Sequence, residues 1–387
     1  MRIAQLAPIY ERVPPAAYGG TELVVHLLTE ELVRRGHEVT LFASGDSRTS
    51  GRLVPTTPRP LRYGTRDVVD HPEHVQLLNA QACFQAAAAG SFDVVHNHAG
   101  IEGLVLAASA RTPTLTTCHM LFEAPLLSAW EAYPWGHNAV SAASAATFPR
   151  RGQMAPIHHG IEVAEFPFNE RGEGYLLFLG RFSPRKGPAT AIEVARRSRR
   201  PLILAGKVDP LDRGYFEAEV LPHVDGDRIR FVGEADRVTK AWLLAGADAL
   251  LFPIDWEEPF GLVMIEALAC GTPVVAFRRG SVPEIVENGT TGYVVDDTDA
   301  MVRALRFLPL ISRRRCRIVA ETRFDVRRMV DDYVAHYEAL VDGSWRDNPV
   351  SQGRTLRELL VGALDAGRGL DSNGAPASAD DEEVEQV

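Results

Sequence analysis

The chain has 387 residues, enough for two domains that each bury their own core. Its apolar content of 45% and charged content of 24% are typical of a globular protein in water. The formal net charge of −10 disfavours a broad nucleic-acid-binding surface, although six of the acidic residues lie close to the carboxyl end, between Asp371 and Glu385.

The sequence carries no pattern of secretion or membrane insertion. It begins directly with a predicted strand, and no apolar run approaches the roughly 18 residues that a membrane-spanning helix needs. The cysteines share no metal-ligand or redox spacing, so we expect reduced and mostly buried thiols. These features predict a cytoplasmic protein with at most peripheral membrane contact. The four cysteines are Cys83, Cys118, Cys270 and Cys316.

Short strands alternate with helical patterns along the first half of the chain. A buried strand is predicted at residues 2–7, and a helix begins near Thr21 and ends before Gly36. Further strands are expected at residues 37–43, 93–96, 114–118, 138–142 and 155–158.

The same alternation restarts after a loop-like passage at residues 165–173, and an amphipathic helix at residues 326–340 follows it. This order predicts an α/β fold with two doubly wound domains, whose strand carboxyl ends face a common cleft. Beyond residue 343 the chain reads as a largely disordered acidic tail, in which residues 354–364 could form a short helix. The strands predicted in the second half are residues 175–179, 201–205, 229–232, 249–252, 273–277 and 292–295.

Gly19 and Gly20 lie in a loop rich in glycine and proline between the first strand and its helix. They do not form the Gly-x-Gly-x-x-Gly pattern of dinucleotide-binding domains, which disfavours a nicotinamide-dependent dehydrogenase. Glycines at this place let the backbone approach a phosphate at a helix N-terminus, and an ordinary tight turn explains them equally well.

Three histidines lie at the ends of predicted strands in the first half. His96 and His98 alternate on one face, but no nearby carboxylate or cysteine completes a metal site, so we expect none there. His119 follows the strand at residues 114–118 and faces the expected cleft, where a structural role is the commoner one for a histidine.

Arg181 and Lys186 lie in the segment from Gly180 to Gly187, which follows a strand and precedes a helix. A guanidinium and an ammonium on one strand-end loop can converge on a diphosphate. A solvated basic loop is the alternative.

Residues 257–275 are the most informative stretch, because Glu258 and Glu266 stand eight positions apart there. A helix is predicted from Leu262 to Leu268, with Gly271 as its stop. If the eight steps are mostly helical, the carboxylates are roughly 12 Å apart. That separation is too large for a hydrolytic carboxylate pair and suits two ends of an elongated polar ligand. The helix N-terminus between them favours an anion.

These blocks together resemble the retaining glycosyltransferases of family four, which have the GT-B fold. The Glu-seven-residues-Glu stretch, the Gly-Arg…Lys-Gly block and the glycine-rich first loop occur in the expected order, and the likeness runs from Arg2 to about Leu340. The resemblance implies two Rossmann-like domains that face an interdomain cleft. Residues 1–168 would bind the acceptor and residues 169–325 the nucleotide sugar, and the helix at residues 326–342 would cross back to the first domain.

The resemblance also implies the reaction and its residues. A hexosyl unit would pass with retention of configuration from a nucleoside diphosphate sugar to an acceptor hydroxyl, with no cofactor or metal. Arg181 and Lys186 would clamp the diphosphate, and His119 would lie close to the donor sugar. Glu258 would bind hydroxyls of the hexose and Glu266 the ribose diol.

Further donor contacts follow from the same resemblance. Gly19 and Gly20 would touch the donor phosphate or the acceptor, and backbone groups at Val232 and Gly233 would contact the nucleobase. The backbone N–H groups of Phe260, Gly261 and Leu262 would meet the sugar or the phosphate.

Two patterns depart from this scheme or compete with it. His158-His159-Gly160-Ile161-Glu162 stands where family members often have an Asn-Gly-Ile-Asp turn, a change that keeps the shape of the turn. Asp-x-Asp pairs at residues 225–227 and 297–299 could suggest a metal, but both lie in polar turns. Helix capping accounts better for Asp297 and Asp299.

Two other functions stay open at this stage. One is a glycoside phosphorylase of the same fold, which would use inorganic phosphate, and the other is a non-catalytic sugar-nucleotide sensor. UDP-glucose ranks first as donor only because it is the commonest choice in the family. The acceptor and the oligomeric state are not determined by the sequence.

Overall fold

The computed structural model describes residues 1–63, 71–122 and 124–347. Within them the chain forms two parallel sheets with helices on their faces, which confirms the predicted α/β architecture. Most of the predicted acidic tail and the short helix at residues 354–364 lie outside the described residues. Of that tail, Gly343 ends the last long helix and Ser344–Asp347 forms a 3₁₀ turn.

The first sheet is built around β1, whose alternating apolar residues are buried on both faces. Ile3 pairs with Val39 on one side and with Val94 on the other, so β1 is central. The strand order is β3-β2-β1-β4-β5-β6. The strands are β1 Arg2–Leu6, β2 Glu38–Ser44, β3 Arg52–Thr57, β4 Val94–Asn97, β5 Thr114–Cys118 and β6 His137–Ala139.

Helices connect these strands and cover the sheet. The first helix buries Val24, Leu28 and Leu32 against it. The helices of this half are α1 Gly20–Arg34, α2 Pro72–Ala88, α3 Ile101–Ala107, α4 Leu127–Ala132 and α5 Ala142–Ala145.

The second sheet repeats this architecture, with the order β12-β11-β10-β7-β8-β9. Its central strands β7 and β10 are almost fully buried, as expected for parallel strands covered on both faces. The strands are β7 Tyr175–Leu179, β8 Leu202–Ala205, β9 Ile229–Phe231, β10 Ala247–Phe252, β11 Val274–Phe277 and β12 Gly292–Val295.

The helices of the second half begin after β7, and one long helix follows the last strand. They are α6 Pro188–Ser198, α7 Arg213–Tyr215 (continued by a π-helical turn, Phe216–Val220), α8 Arg237–Gly246, α9 Leu262–Ala269, α10 Val282–Ile285, α11 Thr298–Ala304, α12 Arg313–Arg323 and α13 Val326–Asp342.

Helix α13 leaves the second sheet and packs against α1, β4 and β5 of the first half. Its apolar face buries Met329, Tyr333 and Tyr337 completely. These contacts are those expected of a helix that crosses back between domains. The boundaries at residues 168 and 325 stay predictions.

One predicted strand is absent and one strand was not predicted, and each of these segments contains a proline. Residues 155–158 form no strand, because Pro156 has no N–H to donate and only single backbone bonds join this segment to β6. The missed strand β3 contains Pro55, which a sheet tolerates there because β3 is an edge strand.

Among the described residues, the helices include none that combines the length and apolar character required to cross a bilayer. All four cysteines are buried and unpaired, as predicted. Burial raises the pKa of each thiol, to about 12 for Cys270 and Cys316, so they are inert at neutral pH.

Candidate active site

A cavity of about 400 Å³ lies between the two halves, at the carboxyl ends of their strands. The first half contributes the loop before α1 and the residues that follow β5, and the second contributes the segments after β7 and β10. This is where ligands bind in doubly wound folds. Of the predicted site residues it brings together Gly20, His119, Arg181, Lys186, Glu258, Phe260, Gly261 and Leu262.

Glu258 is the carboxylate at the centre of this cleft, and it is almost fully buried. Its Oε2 accepts a hydrogen bond from Lys186 Nζ at 2.5 Å and another from the indole N–H of Trp256 at 3.0 Å. Lys186 Nζ also lies 5.0 Å from the centre of the Trp256 ring. The buried charge is therefore paired, and Lys186 and Glu258 face the same space.

Two polar groups close to Lys186 in the sequence have no hydrogen-bond partner among residues 1–63, 71–122 and 124–347. Arg181 Nε lies 3.3 Å from an Asp212 oxygen without hydrogen-bond geometry, and Ser183 Oγ is buried and unpaired. Both side chains line the cleft. Unpaired buried donors are costly, and an anion held between them would remove that cost.

The N-terminus of α9 forms another wall of the cleft. It begins at Leu262, after Gly261 with a φ of 79°, and no side chain caps it. Its first N–H groups are therefore available to a ligand, and the helix dipole favours an anion there. Because residues 258–261 are not helical, the assumption behind the 12 Å estimate was wrong for half of the eight steps.

Four predicted donor-binding residues lie outside the cavity lining: Gly19, Val232, Gly233 and Glu266. Gly19 precedes Gly20 directly, with a φ of 143° that favours glycine. Val232 N donates to Leu204 O, and Gly233 O accepts from Gly206 N, so both hold the end of β9 to β8.

Glu266 is buried on α9, one turn beyond Leu262. Lys240 Nζ, on α8, donates to its Oε1 at 2.5 Å, while its Oε2 has no partner among the described residues. Sequence reasoning missed Lys240, because nothing in the sequence brings α8 and α9 together.

His119, which is partly exposed at the cleft, contacts two buried histidines at the first-half wall. His98 Nδ1 lies 2.9 Å from His119 Nε2, and His159 stacks on the other side of His119 with ring centres 5.3 Å apart. Burial lowers the pKa of His119 to about 4 and the pKa values of His98 and His159 well below the usual range. All three rings are therefore neutral at pH 7.

Both nitrogens of His96 and of His98 are engaged by protein groups, which leaves none for a metal. His96 meets Tyr337 and Thr117, and His98 meets His119 and Gln5. The structure thus gives the pair a hydrogen-bonding role.

The aspartate pairs serve backbone turns. Asp225 accepts from the N–H of Asp227, and Asp297 caps α11, while Asp299 pairs with Arg197. Among the described residues, a group spaced closely enough for a metal ion is the exposed set His71, Glu73 and His74, outside the cleft.

A larger depression, of about 800 Å³, lies at the opposite, amino end of the second sheet. Two of the arginines that line it are engaged by the protein: Arg313 donates to three backbone carbonyls and Thr272, and Arg200 pairs with Asp248. We therefore assign the site to the interdomain cleft.

Several lining residues were not predicted as site residues, among them Tyr18, His159, Ser183 and Trp256. Ser183 stands inside the basic block and Trp256 two residues before Glu258, so their position in the motifs was a usable signal. His159 lies in the turn that departs from the family pattern, and nothing in the sequence indicated its stacking on His119.

Comparison with known proteins gives the family of the chain. The model of the glycosyl transferases group 1 matches residues 162–323, and the model of glycosyltransferase family 4 matches residues 18–155. The chain is 28% identical to a phosphatidyl-myo-inositol mannosyltransferase of Mycolicibacterium smegmatis, over 79% of this chain and 84% of that protein. It is also 28% identical to a glycogen synthase of Mycobacterium tuberculosis, over 82% and 89% respectively.

Solved structures show the same fold. AviGT4, a glycosyltransferase involved in avilamycin A biosynthesis, has a TM-score of 0.66 and 26% identity over 88% of this chain and 98% of that chain. Anabaena HepE, solved with UDP and glucose, has a TM-score of 0.67 and 20% identity over 88% and 100%. Since the two family models match adjacent segments that span most of the residues described above, the chain belongs to the group 1 and family 4 glycosyltransferases and has their GT-B fold.

Proposed function

We propose that the protein is a retaining, metal-independent hexosyltransferase, which transfers a hexosyl unit from a nucleoside diphosphate sugar to an acceptor hydroxyl. UDP-glucose is the donor that we rank first. One observation carries the proposal. Arg181, Lys186, Glu258 and the uncapped N-terminus of α9 line a single cleft at the strand carboxyl ends.

In this proposal the basic groups stabilise the leaving group. As the bond to the anomeric carbon breaks, negative charge grows on the nucleoside diphosphate, and preorganised cations and N–H groups lower the energy of that state. Arg181 Nε and Ser183 Oγ, which have no hydrogen-bond partner in the part of the chain that the structure describes, would each donate to a phosphate oxygen. The attacking hydroxyl would approach from the same face, and a phosphate oxygen would take its proton.

The two glutamates would hold the ends of the donor. Glu258 would accept hydrogen bonds from hexose hydroxyls through Oε1, since its Oε2 is held by Lys186 and Trp256. Glu266 would bind the ribose diol through Oε2, and its bond to Lys240 would fix the carboxylate in place. His119 would contact the sugar from the first-half wall.

The choice of UDP-glucose is supported by its frequency in the family and by HepE, a protein of the same fold solved with UDP and glucose. The named relatives include a mannosyltransferase and a glycogen synthase, so GDP-mannose and ADP-glucose belong in the same screen.

The test has two parts. Nucleotide sugars are screened by thermal shift, and the donor that binds is incubated without acceptor, with nucleoside diphosphate release as the readout. Slow release supports a transferase, and binding without release favours a sensor. Release of sugar phosphate from a glycoside and inorganic phosphate, without nucleotide, would favour a phosphorylase.

The ribose assignment is tested by Glu266→Gln, which removes the charge and keeps the shape. Donor Kd should rise by about tenfold or more, because a charged acceptor of two hydroxyl bonds is lost. Lys240→Met is the matched variant: it breaks the same ion pair but keeps the carboxylate, so its donor Kd should rise less than that of Glu266→Gln. Unchanged donor affinity in Glu266→Gln, with a folded protein, would remove the assignment.

A further inference from the structure

A continuous path of hydrogen bonds, here called the relay, connects the backbone at Ala139 with His119 at the cleft. It passes through β6, β5, β4, helix α13 and β1, and all of its side chains before His119 are buried. Because each hydroxyl and each neutral imidazole carries one proton, the direction of every bond in the relay can be derived from its fixed end.

The fixed end is the side-chain amide of Asn138. Its Nδ2 donates to the carbonyl oxygen of Ala139 at 3.3 Å, which turns its Oδ1 towards Thr117. Thr117 Oγ1 lies 2.8 Å from that oxygen and must donate to it, since an amide oxygen only accepts. The single proton of Thr117 is thereby committed.

The next bond determines the tautomer of His96. Its Nε2 lies 2.7 Å from Thr117 Oγ1, which can now only accept, so Nε2 carries the proton. Burial lowers the pKa of His96 well below the usual range, and the ring is neutral. Its Nδ1 is therefore unprotonated and accepts from the hydroxyl of Tyr337 at 2.7 Å.

Tyr337 in turn orients Gln5. With its proton given to His96, the phenol oxygen can only accept, and Gln5 Nε2 donates to it at 3.2 Å. Gln5 Oε1 then faces His98 Nε2 at 2.9 Å, so that nitrogen is protonated. His98 Nδ1 is left as an acceptor, and His119 Nε2 donates to it at 2.9 Å.

We propose that Tyr337, Gln5 and His98 are positioning residues that hold His119 as one tautomer, with a proton on Nε2 and a lone pair on Nδ1 for a ligand hydroxyl. His119 lines the cleft, and its Nδ1 has no hydrogen-bond partner among the described protein groups. The ligand's identity as a donor or acceptor sugar rests on the proposed function, whereas the tautomer does not. The group that meets His119 must then be a hydrogen-bond donor.

The tautomer is measured directly by ¹⁵N NMR of protein labelled at histidine, with no activity involved. His119 is identified by the signals that disappear in His119→Asn. We expect a protonated Nε2 and an unprotonated Nδ1 at neutral pH. A protonated Nδ1 in the wild-type protein would overturn the proposal, and no folded variant of the relay is needed to reach that result.

The role of the relay is measured by comparing Tyr337→Phe with Tyr333→Phe. Both tyrosines are fully buried on one face of α13, with ring centres 6.3 Å apart, and the Tyr333 hydroxyl meets the relay only through a longer contact, 3.4 Å, with Thr117. Because the proton of Thr117 is already donated to Asn138, loss of the Tyr333 hydroxyl reverses no bond of the relay. Without the Tyr337 hydroxyl, Gln5 can turn over and both His119 tautomers should appear in the NMR spectrum. The value of kcat should fall about three- to tenfold, the usual effect of one hydrogen bond.

Tyr333→Phe should keep the single tautomer and stay within about twofold of the wild-type kcat. Equal losses in both variants, with no change of tautomer, would show that the tyrosines only support the fold. If the wild-type protein shows the expected tautomer but binds no nucleotide sugar, the proposed function fails and the relay stands.

Discussion

Arg181 and Lys186 both line the cleft, but they differ in how closely each is paired with a carboxylate. Lys186 already has a carboxylate partner at 2.5 Å, whereas Arg181 Nε has only a loose contact with Asp212. We infer that Lys186 also serves to pair the buried Glu258, and that Arg181 is the cation more readily available to the leaving group.

Arg181→Ala should therefore lower kcat by about a hundredfold and change the KM for the donor by only a few-fold, because the charge it stabilises grows in the transition state. Steady-state kinetics with varied donor concentration measures the split. Arg196→Ala, on the exposed face of α6, is the control and should behave as wild type. A rise in KM with unchanged kcat would assign Arg181 to ground-state binding.

The sequence predicted individual site residues where they belong to a recognisable motif. It did not predict contacts between residues that only the fold brings together. Glu258, Arg181 and Lys186 were predicted because they stand in recognisable blocks, and the structure brings them to one cleft. The bond of Lys240 to Glu266 joins residues 26 positions apart, and no local pattern indicates it.

The loop that follows β11 packs against the backbone of Glu258. Gly280 has a φ of 49°, and a Cβ there would overlap the backbone nitrogen and oxygen of Glu258. Its neighbour Ser281 donates to the same oxygen at 2.9 Å. The position of Glu258 thus depends on a glycine outside the cleft lining.

Gly280→Ala should move Glu258 and reduce kcat by about tenfold or more, a loss typical of a displaced catalytic group. The control is Gly289→Ala, which has a φ of 77° and open space around its Cβ. Both variants should lose about 1 kcal/mol of stability from the backbone conformation. Similar activity in the two variants would contradict the supporting role.

Helix α1 carries two glutamates whose ionisation affects stability in opposite directions. Burial raises the pKa of Glu22 to about 7, while bonds from Ser50 and Thr49 lower the pKa of Glu30. A carboxyl group whose pKa is raised on folding stabilises the folded state. For Glu22 this contribution is fully present below about pH 4.5 and is lost as the pH rises to about 7.

Glu22→Gln should therefore change stability little at pH 4 and increase it by up to about 3 kcal/mol at pH 8, where the wild-type protein must bury a charged carboxylate. Glu30→Gln should destabilise the protein at pH 8 and have little effect at pH 4. Thermal unfolding at both pH values gives the comparison. A pH-independent difference for Glu22→Gln would contradict the account of its pKa.

The elements themselves were largely predictable, since parallel strands buried on both faces give clear apolar runs. The failures at residues 155–158 and at β3 both involve a proline whose tolerance depends on strand neighbours that the sequence does not give.

For the whole molecule, helix α13 does more than return the chain to the first half. It places Tyr337 in the relay and Tyr333 beside Thr117, so the last helix is part of the wall that holds His119. The alternation of strands and helices predicted two sheets and a cleft. The hydrogen bond between His96 on β4 and Tyr337 on α13 joins residues about 240 positions apart, and no sequence pattern predicts it.

We expect the interdomain cleft to bind a nucleoside diphosphate sugar through its basic groups. Titration calorimetry with UDP, ADP and GDP tests it in the wild-type protein and in the double variant Arg181→Met/Lys186→Met, with Arg196→Met as control. We expect one nucleotide to bind the wild type and the control equally, and to bind the double variant more weakly by about a hundredfold, as two charge-assisted contacts are lost. Binding that is equally tight in the double variant, or no binding of any nucleotide to the wild type, would contradict the account.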